Sequence, residues 1–267
     1  MSPITSKYTA DAMGNPFQTG DDISLPFPHV KLFWYNGKPD ADKGRGVYHF
    51  GGWFAGSDEL LNEMAQFNKK PEEIGFQKDT WTDGDGNEYG SYSSRMAYVA
   101  PCGSRKVWRS YKTPEGMKNK STYSLLGFMA YPTTEKLHYL GPVVLSGSSY
   151  SGAMVEEAVK SFPSLTAEAR ATAAPSVPAW QFYIPIGTWG KARVTKSVGT
   201  VKKSMIVPAQ IYIPEKGWTP EKIEKYFVPD EVVEQMLETR AAAEEWLNWK
   251  PSAEQAPQQP AEEDFPA

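Results

Sequence analysis

Residues 123–131, YSLLGFMAY, and residues 137–145, LHYLGPVVL, decide the fold of this chain. Both segments are short and apolar, and a Pro-Thr-Thr cluster at 132–134 separates them. Runs of this kind between turn-forming residues are typical of β-strands. Two further candidate strands precede them, at residues 95–100 and 106–111. The sequence therefore predicts a β-rich body.

The flanking sequence adds helices and more strands. Residues 149–174 carry apolar side chains at helical spacing, and Ser57 is a suitable N-cap for a shorter helix over 57–67. Further strands are predicted at 30–35, 180–186, 192–198 and 203–213. Thr219 and Pro220 open a helical C-terminal end that breaks at Pro229 and continues to about residue 249.

This order of elements predicts a mainly β fold with added helices. Several strands, one helix and more strands fit the five-stranded Greek-key barrel of the oligonucleotide/oligosaccharide-binding (OB) fold, with a helix between strands three and four. A generic α+β sheet fits the same order. The predicted organisation is an irregular N-terminal arm over 1–30, an OB-like body over 31–214, a helical extension over 215–249 and a disordered acidic tail over 250–267.

Charge is distributed unevenly along the chain. Residues 1–214 contain 23 Lys and Arg against 19 Asp and Glu, whereas residues 215–267 contain 5 against 13. A basic body with an acidic end predicts partners of opposite charge, or a body that its own tail screens. The lone Cys102, the lack of a long apolar run and an N-terminus unlike a signal peptide predict a cytoplasmic protein without a membrane span.

Catalytic and metal motifs fail on spacing. Gly147-Ser148-Ser149-Tyr150-Ser151-Gly152 places Ser151 where a nucleophile elbow requires glycine, so a turn that leads into a helix is the favoured interpretation. Residues 83–87, DGDGN, fit a hairpin turn better than a calcium loop. The three histidines and the single cysteine lack the spacing of zinc ligands. We therefore predict no enzyme activity, no metal and no cofactor.

Basic and aromatic residues interleave in two regions. Between residues 95 and 120 there are seven basic side chains and a single acid, Glu115, while a second basic run over 189–203 contains no acid. Aromatic rings stack on bases, and Lys and Arg neutralise phosphates, so this mixture predicts binding of single-stranded nucleic acid. The candidate contacts are Trp34, Tyr35, Trp53, Phe54, Arg95, Arg105, Lys106, Trp108, Arg109, Tyr111, Lys112, Trp189, Lys191, Arg193, Lys196, Lys202 and Lys203.

The C-terminal tip carries a family resemblance. A Pro- and Gln-rich stretch leads to Glu262, Glu263, Asp264 and Phe265, followed by Pro-Ala. Acids before a near-terminal Phe resemble the tip of bacterial and phage single-stranded DNA-binding proteins. The resemblance implies an OB-fold body and a tip that recruits replication or recombination proteins and folds back over the DNA groove. The long N-terminal region and the helical end suit a phage-type member better than a bacterial one.

The resulting hypothesis is a sequence-tolerant single-stranded DNA-binding protein that acts in replication or recombination. Its expected partners are single-stranded DNA, with RNA as the alternative polymer, proteins bound by the tail, and further copies of the chain. Two alternatives are a carbohydrate- or peptide-binding β module, which also uses exposed Trp and Tyr, and a phage structural or assembly protein. An enzyme whose site is scattered along the chain is a third.

Overall fold

A computed structural model describes residues 24–36, 51–82, 88–113, 116–134, 136–188, 194–198 and 202–249. Only the backbone is described for residues 81–82, 109–113, 116–118, 194–198 and 202–206. Nine strands form one sheet in the order β11-β8-β5-β6-β7-β1-β2-β4-β3, and β9 and β10 pair separately. The strands are β1 Val30–Tyr35, β2 Gly52–Gly56, β3 Gln77–Thr82, β4 Glu88–Ser94, β5 Met96–Thr113, β6 Gly116–Pro132, β7 Leu137–Ser148, β8 Ile184–Gly187, β9 Val194–Val198, β10 Lys202–Ile206 and β11 Gln210–Ile211.

Six α-helices lie along the described chain: one precedes the central strands β5, β6 and β7, two follow them, and three lie near the C-terminal end. Short 3₁₀ turns at Pro71–Ile74 and Ala179–Gln181 accompany them. The prediction of a mainly β chain with added helices is confirmed. The helices are α1 Ser57–Ala65, α2 Tyr150–Leu165, α3 Ala167–Ala173, α4 Pro220–Glu224, α5 Asp230–Ala242 and α6 Glu244–Asn248.

The centre of the sheet has Greek-key topology. β5, β6 and β7 form an antiparallel meander, and β8 returns to pair antiparallel with β5. The spatial order β8-β5-β6-β7 is therefore the 4-1-2-3 order that defines the motif. Helices α2 and α3 lie in the long connection between β7, the third strand of the meander, and β8. On its other side, β7 pairs in parallel with β1.

The sheet is larger than the five strands predicted. Residues 51–94, for which the sequence predicted only a helix over 57–67 and a turn at 83–87, also supply β2, β3 and β4. The β3 sequence QKDTWT and the β4 sequence EYGSYSS are too polar to show an apolar alternation, so their strand character is hidden. The predicted hairpin at 83–87 is supported by the pairing of Thr82 with Glu88, although its turn lies outside the described residues.

The sheet curls into a half-barrel. One residue, Arg95, joins β4 to β5, yet β6, β7, β1 and β2 separate these strands in the sheet order. The two ends of the sheet must therefore approach each other. The indole Nε1–H of Trp53 on β2 donates to the Ile186 carbonyl on β8 at 2.8 Å, and the Thr188 N–H donates to the Arg95 carbonyl at 2.8 Å.

Two hydrophobic cores lie on opposite faces of the curled sheet. The inner core contains Leu32, Trp53 and Leu145 and is covered by residues of α1 and α2 such as Leu60 and Val155. The outer core contains Leu126, Phe128 and Val144 on the sheet, and α5 and α6 cover it with residues that include Met236 and Trp246. Of the predicted helical end, α5 and α6 thus cover part of the outer face of the sheet, whereas Ile223 of α4 belongs to the inner core.

Candidate nucleic-acid interface

The hairpin of β5 and β6 extends beyond the rest of the sheet. β8 pairs with β5 only from Met96 to Val99, and β7 pairs with β6 only as far as Thr122. Residues 108–113 and 116–121 therefore continue as a two-stranded arm, here called the ribbon, which has no third strand in the described part of the chain.

The ribbon is basic. Its described residues include Arg109, Lys112, Lys118 and Lys120 and no acidic residue. The register places Arg109 directly opposite Lys120, and like charges opposite each other destabilise a sheet. Burial lowers the pKa of the half-buried Lys120 ammonium, which opposes its charged form. The described residues of the ribbon thus concentrate positive charge.

Trp108 lies at the base of the ribbon and is 38% exposed. Its neighbour Val107 is 5% exposed, whereas Lys106 is exposed, so Lys106 and Trp108 lie on the same face of β5, opposite Val107. Lys106 Nζ lies 3.1 Å from Glu156 Oε2 on α2. The exposed Lys106 ammonium is therefore already paired within the protein.

The start of α2 lies beside Trp108. Ser121, which pairs with Trp108, accepts the Ser149 N–H through its carbonyl at 2.6 Å. The first turn of α2 carries no acid and no side-chain cap. Because the N-terminus of a helix favours anions, this end of the helix is compatible with a phosphate near the Trp108 ring.

Ser149 has strained backbone geometry, with φ 50° and ψ −123°. It is exposed and lies between β7 and α2, which is the strand–turn–helix context of a nucleophile elbow. The turn is tight because the backbones of Gly147 and Gly152 pack directly against each other. A Cβ at position 152 would lie 2.4 Å from the Gly147 carbonyl oxygen. Neither described histidine is placed to activate Ser149, because His29 precedes β1 and His138 is at the far end of β7. The favoured interpretation as a turn into a helix agrees with this packing.

A row of residues crosses the outer face of the sheet next to the ribbon. The registers place Arg105, Ser124, Ser146, Phe33 and Phe54 on five neighbouring strands. The hydroxyls of Ser124 and Ser146 lie 3.0 Å apart in a hydrogen bond and form a buried polar floor. With strands spaced about 4.8 Å apart, Arg105 and Phe33 are separated by roughly 14 Å across this floor.

Three partly exposed aromatic rings border the floor and form the outer aromatic cluster: Phe33, Tyr35 and Phe54. The Phe54 ring centroid is 6.0 Å from that of Phe33 and 6.2 Å from that of Tyr35. Tyr35 and Phe54, both predicted contacts, are therefore brought together at the surface. Rings in such an arrangement are able to stack on bases.

Trp34 and Trp53, also predicted contacts, lie in the inner core with 5% and 0% exposure. Their rings meet edge-on at 5.0 Å, and each indole N–H is satisfied within the protein, by Asn36 Oδ1 and the Ile186 carbonyl. Alternation along a strand sends adjacent residues to opposite faces, so neither adjacent pair, Trp34-Tyr35 or Trp53-Phe54, can act on one side. Both tryptophans are removed from the candidate interface.

Arg105 holds the C-terminal helices against the sheet. Its guanidinium lies 3.9 Å from the centre of the Trp246 ring and 5.6 Å from that of Trp249, and Nη1 donates to the Trp246 carbonyl at 3.2 Å. A Cβ on Gly103 would lie 2.9 Å from Leu247, which shows how closely α6 packs here. We therefore reassign Arg105 from a nucleic-acid contact to a residue that fixes α6.

The remaining predicted contacts are not gathered at the ribbon. Arg95 lies at the start of β5, and at about 3.3 Å per residue it is up to about 40 Å along the strand from Trp108. The described residues of the second basic run, 194–198 and 202–203, lie on the β9–β10 hairpin, where Val198 pairs with Lys202. That hairpin follows β8, which ends beside Met96, next to Arg95. Tyr111 and Lys112 lie on the ribbon, while Lys196 and Lys203 lie on the hairpin with Lys202.

Several predicted contacts lie outside the described residues, and others were missed. Those outside are Trp189, Lys191, Arg193, Glu262, Glu263, Asp264 and Phe265. Phe33, the Ser124–Ser146 pair and Lys120 were not selected from the sequence. Phe33 could have been found from its position two residues before Tyr35, because residues i and i+2 of a strand share a face.

Comparisons with known proteins add no relative. No protein-family model matches the chain, and neither the curated proteins nor the solved structures provide a match. Within the described residues, no group of three or more His, Cys, Asp or Glu side chains is arranged to hold a metal ion. None of the described helices is both long enough and apolar enough to cross a membrane.

Proposed function

We propose that this chain binds single-stranded DNA or RNA on the ribbon and the outer aromatic cluster, with little preference for sequence. The observation that carries the proposal is the ribbon, which extends beyond the sheet with four basic residues and no acid among its described positions. Bases would stack on the outer aromatic cluster, and phosphates would follow the ribbon cations. Stacking tolerates any base because every base has a π-face.

The Greek-key order of β5, β6, β7 and β8 supports the proposal that the body is an OB-like barrel. In OB folds the face of strands two and three and the adjoining loops bind oligonucleotides. If β5 is strand one of the Greek key, β6 and β7 are strands two and three, and the serine floor lies on their outer face. The ribbon then corresponds to the loop between strands one and two. The position of α2 after β7 agrees with the predicted helix between strands three and four.

The acidic tail extends the proposal to regulation and partners. Trp249, next to Arg105, is the last described residue before the tail, so the tail begins beside the basic ribbon. Fifteen positions or fewer separate Trp249 from the acids at 262–264. A chain of that length with the disorder that the sequence predicts would have a mean reach of roughly 20 Å. We infer that the acids screen the ribbon in the free protein and bind replication or recombination proteins when nucleic acid displaces them.

Charge reversal on the ribbon tests the electrostatic part. We expect Lys118→Glu with Lys120→Glu to weaken binding of a 30-nucleotide oligo-dT at least tenfold at low salt. The slope of log affinity against log salt should become shallower by about 1.4, because each lost phosphate contact removes about 0.7. Lys225→Glu, which changes an exposed lysine after α4, is the control and should have little effect. Equal affinities for all three proteins would refute a role of the ribbon.

Removal of one aromatic ring tests the stacking part. We expect Tyr35→Ala to weaken binding of the same oligonucleotide by about 1–3 kcal/mol with an unchanged salt slope, since a stack carries no charge. Trp180→Ala removes a ring that is 41% exposed elsewhere on the surface and serves as the control. Fluorescence anisotropy measures both. A loss for Trp180→Ala equal to that for Tyr35→Ala would place the contact surface elsewhere.

A further inference from the structure

A cleft of about 580 Å³ opens where β4 turns into β5, at the opposite end of β5 from the ribbon. This volume lies within the range of small-molecule sites, which are mostly apolar with a few polar groups that fix the ligand. Arg95, a predicted contact that the ribbon does not include, lies in its wall together with Gln77, Ser93 and Ser94. Ile74, Met96, Tyr98, Met129 and Pro132 supply the apolar lining.

The polar wall combines a cation with hydroxyl acceptors. Arg95 is exposed, and its backbone carbonyl is fixed by the Thr188 N–H at 2.8 Å, while its Nε lies 3.4 Å from Thr188 Oγ1. A guanidinium presents donors in a planar fork that matches the oxygens of a phosphate. The Ser93 hydroxyl donates to Asp79 Oδ2 at 2.8 Å, so the Ser93 oxygen is directed as an acceptor for other donors.

The apolar wall offers flat and polarizable surfaces. Tyr98 is partly exposed and packs against Tyr226 with ring centroids 6.1 Å apart, which fixes its orientation. Met96, two residues before Tyr98 on β5, is partly exposed, lines the same cleft and shares the face of Tyr98. Aromatic and thioether groups pack favourably against planar rings. The cleft therefore joins one phosphate-binding group to a surface suited to a heteroaromatic ring.

We propose that this cleft binds one nucleotide, with the phosphate on Arg95 and the base against the apolar wall. The inference deepens the proposed function, on which it rests for the class of ligand, but it uses none of the ribbon residues. Two sources supply the same chemistry, a free nucleoside monophosphate and the 5′-phosphorylated end of a bound strand. The ribbon and the cleft would then be separate sites at the two ends of β5.

Calorimetric titration of the full-length chain with thymidine 5′-monophosphate tests the site. We expect saturable binding that falls about tenfold to hundredfold in Arg95→Gln, the range for loss of a charged hydrogen bond. Gln77→Trp, a change at an exposed lining position, should abolish binding by filling the cleft. Lys225→Gln removes a positive charge outside the cleft and should bind normally. Absence of binding to the wild type at millimolar ligand, or equal binding by Arg95→Gln, would overturn the proposal.

Oligo-dT with and without a 5′-phosphate distinguishes the two sources. If the strand end is the ligand, the phosphate should strengthen binding to the wild type but not to Arg95→Gln. If the free nucleotide is the ligand, both oligonucleotides should bind equally while thymidine monophosphate still depends on Arg95. The double ribbon variant should retain monophosphate binding. For the wild type, absence of oligo-dT binding with monophosphate binding present would contradict the proposed function alone, and oligo-dT binding without monophosphate binding would contradict the cleft alone.

Discussion

Alanine at position 53 is expected to lower the free energy of unfolding by about 3–5 kcal/mol, the cost of truncating a buried tryptophan. Trp53 is fully buried, packs edge-on against Trp34 at 5.0 Å and donates to the Ile186 carbonyl at 2.8 Å. The last contact joins β2 to β8 across the opening of the half-barrel. The substitution therefore removes core volume and a bond that closes the curl.

Urea unfolding followed by far-UV circular dichroism measures this loss. Trp53→Phe separates the two contributions, because it keeps much of the packing and leaves the Ile186 carbonyl without its donor, at a cost of about 1–3 kcal/mol. Trp180→Ala, at an exposed position, should change the unfolding free energy by less than about 1 kcal/mol. A loss below about 1 kcal/mol for Trp53→Ala would show that β2 and β8 do not depend on this side chain.

Glutamine at position 63 is expected to stabilise the protein at pH 8 by an amount on the order of 4 kcal/mol. Glu63 is 7% exposed on α1, and burial, with the nearby Glu59 carboxylate, raises its pKa from 4.5 to about 8. Its Oε2 accepts the Lys31 backbone N–H at 2.9 Å, a bond that a glutamine oxygen can keep. Lys31 Nζ, 3.6 Å from Glu59 Oε1, offsets only part of the repulsion.

The pH dependence fixes the sign of this effect. The folded state holds the Glu63 proton between pH 4.5 and about 8, whereas the unfolded state has released it, so wild-type stability falls as pH rises through this window. The variant should lose that slope, while Glu238→Gln at an exposed position of α5 should keep it. Urea unfolding at pH 5, 6, 7 and 8 provides the comparison. Equal slopes for wild type and Glu63→Gln would contradict the burial of a protonated carboxyl group.

The sequence predicted the strands whose apolar pattern is strong. Residues 123–131 and 137–145 lie in β6 and β7, and α2 follows them as expected. The sequence did not predict β3 and β4, because a polar strand near a sheet edge shows no alternation of apolar and polar residues. The closure of the half-barrel was also hidden. It depends on Trp53 meeting Ile186, residues that are distant in sequence and carry no local signal of contact.

The candidate site was predicted in composition but not in arrangement. The run from Arg95 to Lys120 indicated a basic surface, yet β5 is long enough to send its two ends to different places. The prediction included the adjacent residues Trp34 and Tyr35, although alternation along a strand places them on opposite faces. The buried Trp34 was therefore included, and Phe33, which shares the face of Tyr35, was missed. That Arg105 holds Trp246 could not be predicted, because the contact spans 141 positions and depends on how α6 docks.

Binding of a labelled 30-nucleotide oligo-dT to the full-length chain, measured by fluorescence anisotropy between low and moderate salt, tests the central claim most directly. A single strand is expected to bind more tightly than a duplex, and log affinity should fall with log salt by about 0.7 per phosphate neutralised. Removal of the residues after Pro251 should strengthen binding at low salt, because the acids then no longer screen the ribbon. Absence of binding at low salt, with and without the tail, would contradict a nucleic-acid-binding function.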